Sequence, residues 1–272
     1  MAVGVVDSSI SIATEATRHR RRALGRLRAC LHLLLAVTLI PRWVWRGQTW
    51  KRYRTRQWLF FGRIARAFVP RVRVIGTPDP TVRFLVANHI SWLDIPVLGS
   101  KLRTNFIAKD DVAEWPGIGP LARRTETLFV SRTRRCDVAR QAEMIAERLA
   151  DGDRLLLFAE GTTSDGTALL PFRSSLFAAA LSCERVQPVM IGYRWADGGR
   201  ICDEEIARIG WTGDASLIEN AIDIATMPIR AEVWLLDPID VRPGETRHAL
   251  SARCETAIAN AYAAFRAANR SA

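Results

Sequence analysis

Cysteine is scarce and scattered. The five in 272 residues, Cys30, Cys136, Cys183, Cys202 and Cys254, are odd in number and form no C-x-x-C pair. That pattern argues against a disulfide framework or a cysteine zinc site and makes a reducing compartment the default. A long hydrophobic run is also missing. The longest near the start, "CLHLLLAVTLI" at 30–40, has eleven residues, too few to span a bilayer, and "PRWVWRG" follows it in place of a small-residue cleavage site. No G-x-S-x-G pentapeptide occurs, which removes the exposed serine nucleophile of a lipid hydrolase. Repeats and low-complexity blocks are absent as well.

Acids are nearly absent from the first quarter. Residues 1–75 hold 16 Arg or Lys against Asp7 and Glu15, whereas the rest of the chain holds 23 against 26, so the net charge of +11 belongs to the leader. Trp43, Trp45, Trp50 and Trp58, four of the nine tryptophans, lie there too. Indoles beside arginines suit lipid headgroups, and the short apolar run reads as an interfacial helix lying in one leaflet. The alternatives are a helix packed on the protein's own core or a stretched span over residues 24–45. Basic charge by itself fits nucleic acid equally well.

What is there, past Pro70, is alternation. Apolar and β-branched runs at "VRVIG" (72), "VRFLVA" (82), "NFIAK" (105), "TLFVSR" (127), "RLLLFAE" (154), "VQPVMIGYRW" (186) and "IRAEVWLLD" (229) alternate with helical patterns. The clearest helix is "DVARQAEMIAERLADG", with Asp137 as N-cap and Gly152 past its end. This predicts an α/β fold, a mostly parallel sheet covered by helices. Residues 1–69 form a tail and two basic, amphipathic, membrane-associating helices, and residues 70–272 form the α/β domain. In such sheets, sites form where strands end and helices begin.

One such turn is "ANHISWLD" at 87–94, which carries one of only four histidines. Asn88 and His89 fall at the strand's carboxyl end, and Asp94 falls near the following helix start. An imidazole with one nitrogen held by a carboxylate keeps the other free to take a proton, which makes a general base. Ser91 and Asp94 also match the S-x-x-D capping pattern, in which the aspartate serves backbone amides instead. Pro96 suits a helix beginning near Asp94 or Ile95, so a simple N-cap role stays open. Arg132 ends a later strand at the same sheet edge. Its forked cation could hold a phosphate, or it could belong to a solvated turn with Arg134 and Arg135. In "FAEGTTS", Glu160 and Gly161 sit at another strand end, where close backbone approach to a ligand and a plain tight turn both require glycine. His19, His32 and His248 read as structural or solvated. Pro188 reads as a residue that ends or shapes its strand.

"NHISWLD" resembles the first signature block of the glycerolipid acyltransferases. Later blocks follow in order: "GPLARRTETLFVSR" at 119–132, "LFAEGTTSDG" at 157–166 and "VQPVMI" at 186–191. The resemblance covers residues 70 to 240 and implies an O-acyltransferase. Its acyl group comes from an acyl-CoA or acyl-ACP co-substrate with no cofactor and no metal, and its acceptor is the free hydroxyl of a lysolipid. His89 and Asp94 would be catalytic, and Asn88, Arg132, Glu160, Gly161 and Thr162 would bind substrate. Membrane lipids and acyl carrier protein or coenzyme A thioesters become the expected partners, with no nucleic acid, at the cytoplasmic face of the inner membrane. The expected acceptor is 1-acyl-sn-glycerol-3-phosphate. Thr163, where many relatives carry arginine, and the form "EGTTSDG" point to lyso-ornithine lipid as the alternative. A non-enzymatic basic membrane- or nucleic-acid-binding module is the competing class; it leaves the polar blocks along the sheet edge unexplained. "GWTGDAS" at 210–216 is expected as a loop near the acceptor pocket.

Overall fold

The computed structural model describes residues 54–115, 118–130, 138–199, 201–212 and 216–268, together with positions 23, 24, 27, 29–32 and 34. All seven predicted strands form: β1 Arg71–Ile75, β2 Phe84–Ala87, β3 Asn105–Lys109, β4 Leu128–Val130, β5 Leu155–Phe158, β6 Arg185–Trp195 and β7 Ile229–Leu235, with a two-residue β8, Ile239–Asp240. They join in one sheet of order β1-β7-β6-β2-β5-β3-β4, β8 pairing with β6. Five pairings are parallel, and β6 meets β7 and β8 antiparallel. The parallel centre is buried on both faces. β2 (FLVA) and β5 (LLLF) have every residue inside, which is why they read as unbroken apolar runs instead of alternating ones.

Helices cover the sheet: α1 Arg54–Phe68, α2 Asp94–Leu102, α3 Ile118–Arg124, α4 Val138–Ala150, α5 Asp203–Ile209, α6 Leu217–Thr226 and α7 Arg247–Ala268. α1 falls within the predicted leader, yet its inner face packs into the body. Phe60, Phe61, Ala65 and Phe68 are buried in the common core, and a Cβ on Gly99 of α2 would lie only 2.7 Å from the Phe61 ring. Buried Gln57 bonds Asn105 Oδ1 at 3.0 Å and the Thr125 carbonyl at 2.9 Å, and Arg54 pairs with buried Asp153.

Pro188 does not end its strand; it lies inside β6, opposite Val86. The β8 ladder stops at Val186 and the β7 ladder begins at Val189, so a residue without an N–H fits between them. The Pro188 carbonyl still accepts the Leu236 N–H at 3.0 Å. Most of the predicted interfacial helix, and Asp137, lie outside the described residues. The described positions from 23 to 34 are helical, and Leu24, Leu27, Leu31 and Leu34 recur on one face with exposures of 54–68%.

Candidate active site

Register sets the geometry. Ala87 of β2 lies level with Phe158 of β5 and Val189 of β6, so the residues that follow β2 and β5 emerge together at one rim. Asn88 anchors this rim. Its Oδ1 accepts the Ile191 N–H at 2.8 Å and its Nδ2 donates to the Ile191 carbonyl at 3.0 Å. With 1% of its surface exposed, Asn88 serves the β6 backbone.

His89 is held from four directions. Its N–H donates to Glu160 Oε1 at 2.6 Å, its carbonyl accepts the Ser164 N–H at 2.8 Å, and its ring lies flat on Phe158, with centroids 3.8 Å apart and planes 13° apart. The fourth contact joins Nδ1 to Asp94 Oδ2 at 2.9 Å. Asp94 is fully buried. The same oxygen accepts the N–H groups of Ile90 (2.7 Å) and Ser91 (2.9 Å), and Oδ1 accepts the Tyr193 hydroxyl at 2.5 Å. α2 begins at Asp94, and the N-cap Leu93 offers no side-chain bond. The two sequence alternatives therefore coexist: one carboxylate holds the turn's amides and the imidazole. An ionised acceptor at Nδ1 fixes the tautomer with hydrogen there and leaves Nε2 as the basic nitrogen. The His89 side chain keeps 13% of its surface exposed.

Tyr193 was not legible in the sequence because every residue around it in β6 is buried. One signal could have found it: a tyrosine next to the apolar run "VMIG" of a core strand needs a partner for its hydroxyl. Burial, reinforced by the Asp94 charge, holds that hydroxyl well above its ordinary pKa, so it stays a donor.

Glu160 is engaged by the backbone in the same way. It is 2% exposed, and its second oxygen accepts the Leu170 N–H at 2.8 Å. The carboxylate thus clamps His89 to the loop after β5. Burial pushes its pKa up to about 7, against the pull of the two amide donors. Gly161 supplies the turn with φ +74°, a conformation suited to glycine. Thr162 is exposed beside it. Thr163 Oγ1 donates to the Trp211 carbonyl, and the Trp211 N–H donates to the Ile90 carbonyl at 3.1 Å. The "GWTGDAS" stretch accordingly meets the His89 loop through Trp211; residues 213–215 and Arg132 lie outside the described residues. Among the described residues, no three His, Cys, Asp or Glu side chains cluster to hold a metal ion.

The buried dyad at the strand rim is the setting in which the chain's relatives become informative. The family profile "Acyltransferase" matches residues 77–192. A lyso-ornithine lipid O-acyltransferase of Brucella abortus is 38% identical over 227 residues, covering 77% of this chain and 81% of that protein. The chain belongs to the glycerolipid acyltransferase family. It is an acyltransferase of the lysolipid type. A 1-acyl-sn-glycerol-3-phosphate acyltransferase of Neisseria meningitidis is 29% identical over 68% of this chain and 72% of its own length. The fold is that of the crystal structure of the 1-acyl-sn-glycerophosphate (LPA) acyltransferase PlsC from Thermotoga maritima, with TM-score 0.57, 21% identity, and coverage of 90% of this chain and 98% of that one. Within the family, the relatives named for lyso-ornithine lipid are more similar to this chain than those named for 1-acyl-sn-glycerol-3-phosphate, which reverses the order of acceptors expected from the sequence.

Proposed function

We propose that this acyltransferase moves a fatty acyl group from an acyl-CoA or acyl-ACP thioester to the free hydroxyl of lyso-ornithine lipid, with His89 as general base. The observation that carries the reading is the 2.9 Å contact between His89 Nδ1 and buried Asp94. Nε2 takes the hydroxyl proton as the acceptor oxygen attacks the thioester carbonyl. Asp94 holds the ring and balances the imidazolium charge. As the tetrahedral intermediate collapses, the C–S bond breaks and the imidazolium returns the proton to the departing sulfur. The products are an ester and a free thiol, with no covalent enzyme intermediate. The exposed Thr162 is the residue we assign to the oxyanion or acceptor.

Two observations favour the ornithine acceptor over the phosphate-bearing one. The lyso-ornithine relatives reach 38% identity against 29% for a lysophosphatidate relative. Position 163, where the family resemblance implies an arginine, is a threonine tied to Trp211 and offers no cation to a phosphate. The basic leader and the exposed leucine face of residues 24–34 support docking on the cytoplasmic side of the membrane, where acyl thioesters are available. The test is acyl transfer by the full chain to lyso-ornithine lipid and lysophosphatidate side by side, with mass detection of the diacyl products. Preferred formation of diacyl ornithine lipid is expected; transfer to lysophosphatidate alone contradicts the acceptor assignment.

A further inference from the structure

A recess lies away from His89. α2 starts at the catalytic rim with Asp94, and at its far end, roughly 10 Å along the axis, Lys101 and Arg103 help line a cleft of about 250 Å³ between α1, α2 and β1. Arg66, from the last turn of α1, is the third cation on its wall, and Trp58, Leu59 and Val72 give it an apolar side. Among the described residues, no acidic one lines it. Residues 54–75 contain six arginines and no acid, so no neighbouring carboxylate in that stretch balances the wall.

Taken singly, Arg66 and Lys101 are ordinary, since cations suit the last turn of a helix. Their convergence on one recess is not explained that way. Arg103 lies beyond the end of α2, in a left-handed conformation with φ 50°, and adds its charge to the same wall. The apolar surface beside the cations stays open: Leu59 is 50% exposed and Val74, on edge strand β1, is 39% exposed. A cationic wall next to an indole and aliphatic side chains matches a phosphate joined to methylenes, the junction found at headgroup depth in a bilayer. The volume admits a headgroup more readily than a whole acyl chain.

We propose that this cleft binds the phosphate headgroup of an anionic bilayer phospholipid, with Trp58 and Leu59 against its first methylenes, as a site separate from the one at His89. The occupant is a lipid of the membrane surface and not the acceptor. It would seat α1 and α2 on the bilayer and so fix the height of the catalytic rim. The proposal is independent of the acyl-transfer reading, because its readout is binding.

The test uses the full-length chain, a cleft variant (Arg66→Gln, Lys101→Gln, Arg103→Gln) and a control with the same charge change elsewhere (Arg140→Gln, Arg242→Gln, Arg247→Gln), all with melting temperatures matched to the wild type. Dihexanoyl phosphatidylglycerol below its micellar concentration is titrated, with dihexanoyl phosphatidylcholine and inorganic phosphate as competitors. Saturable binding is expected, weakened at least about tenfold in the cleft variant, unchanged in the control and resistant to both competitors. Equal weakening in both variants, or in neither, overturns the proposal. Displacement by inorganic phosphate at the same concentration reduces the cleft to a simple anion site and contradicts the lipid assignment. Unchanged lipid binding in the cleft variant, with transfer lost only from acyl-ACP, assigns the cleft to the acidic carrier and also overturns it.

Discussion

The hydroxyl of Tyr193 donates to Asp94 Oδ1 at 2.5 Å, on the carboxylate whose other oxygen holds His89. It draws charge from Asp94 that would otherwise stabilise the imidazolium. Tyr193→Phe removes that donor, so stability is expected to fall by about 1–3 kcal/mol for the orphaned oxygen. A variant as stable as the wild type in paired denaturant melts would show that the contact adds nothing to the fold.

Asp94→Asn tests the orienting role. The amide cannot accept from Nδ1, Ile90, Ser91 and Tyr193 together as the carboxylate does. The ring loses its fixed tautomer, and transfer is expected to slow by about 10²–10⁴-fold. Steady-state turnover within a few-fold of wild type would show that the carboxylate is needed only for the turn.

Glu160 ties stability to pH. A buried carboxyl whose folded pKa lies near 7, above its unfolded value of 4.5, binds its proton more tightly when folded. Its contribution is therefore full below about pH 4.5 and is lost as pH rises through 7, by about 3 kcal/mol in total. Glu160→Gln cannot titrate, so the wild type should lose stability relative to this variant between pH 5 and pH 8 in paired denaturant melts. A constant difference across that range contradicts the assignment.

Asn88→Ala separates anchoring from substrate binding. Two hydrogen bonds to the backbone of Ile191 disappear, and the buried groups left behind are expected to cost about 2–4 kcal/mol of stability. The KM for the acceptor should stay within about two-fold of wild type. A large rise in that KM with unchanged stability would restore Asn88 to the binding site.

Strand positions were legible because a two-sided parallel sheet writes its strands as short apolar runs, as in "FLVA" and "LLLF". The antiparallel pairing of β6 with β7 and the two-residue β8 were not, since strand direction follows from connections that local pattern does not encode. The His89–Asp94 pair could be read from spacing, because a strand end and a helix start five residues apart bring both side chains to one turn. The backbone bonds of Asn88 and Glu160 were not legible for a physical reason: a polar residue at a strand end can face a ligand or its own backbone, and local pattern does not decide. Here the backbone took both. The N-terminal packing of α1 was hidden by its arginines, which mask the buried face of Phe60, Phe61 and Phe68.

The most direct measurement is the rate of acyl transfer to lyso-ornithine lipid by the full chain and by His89→Ala, with melting temperature and vesicle binding recorded in parallel. Transfer is expected to fall by about 10²–10⁴-fold in the variant while folding and membrane binding persist. Undiminished turnover without the imidazole would contradict the account.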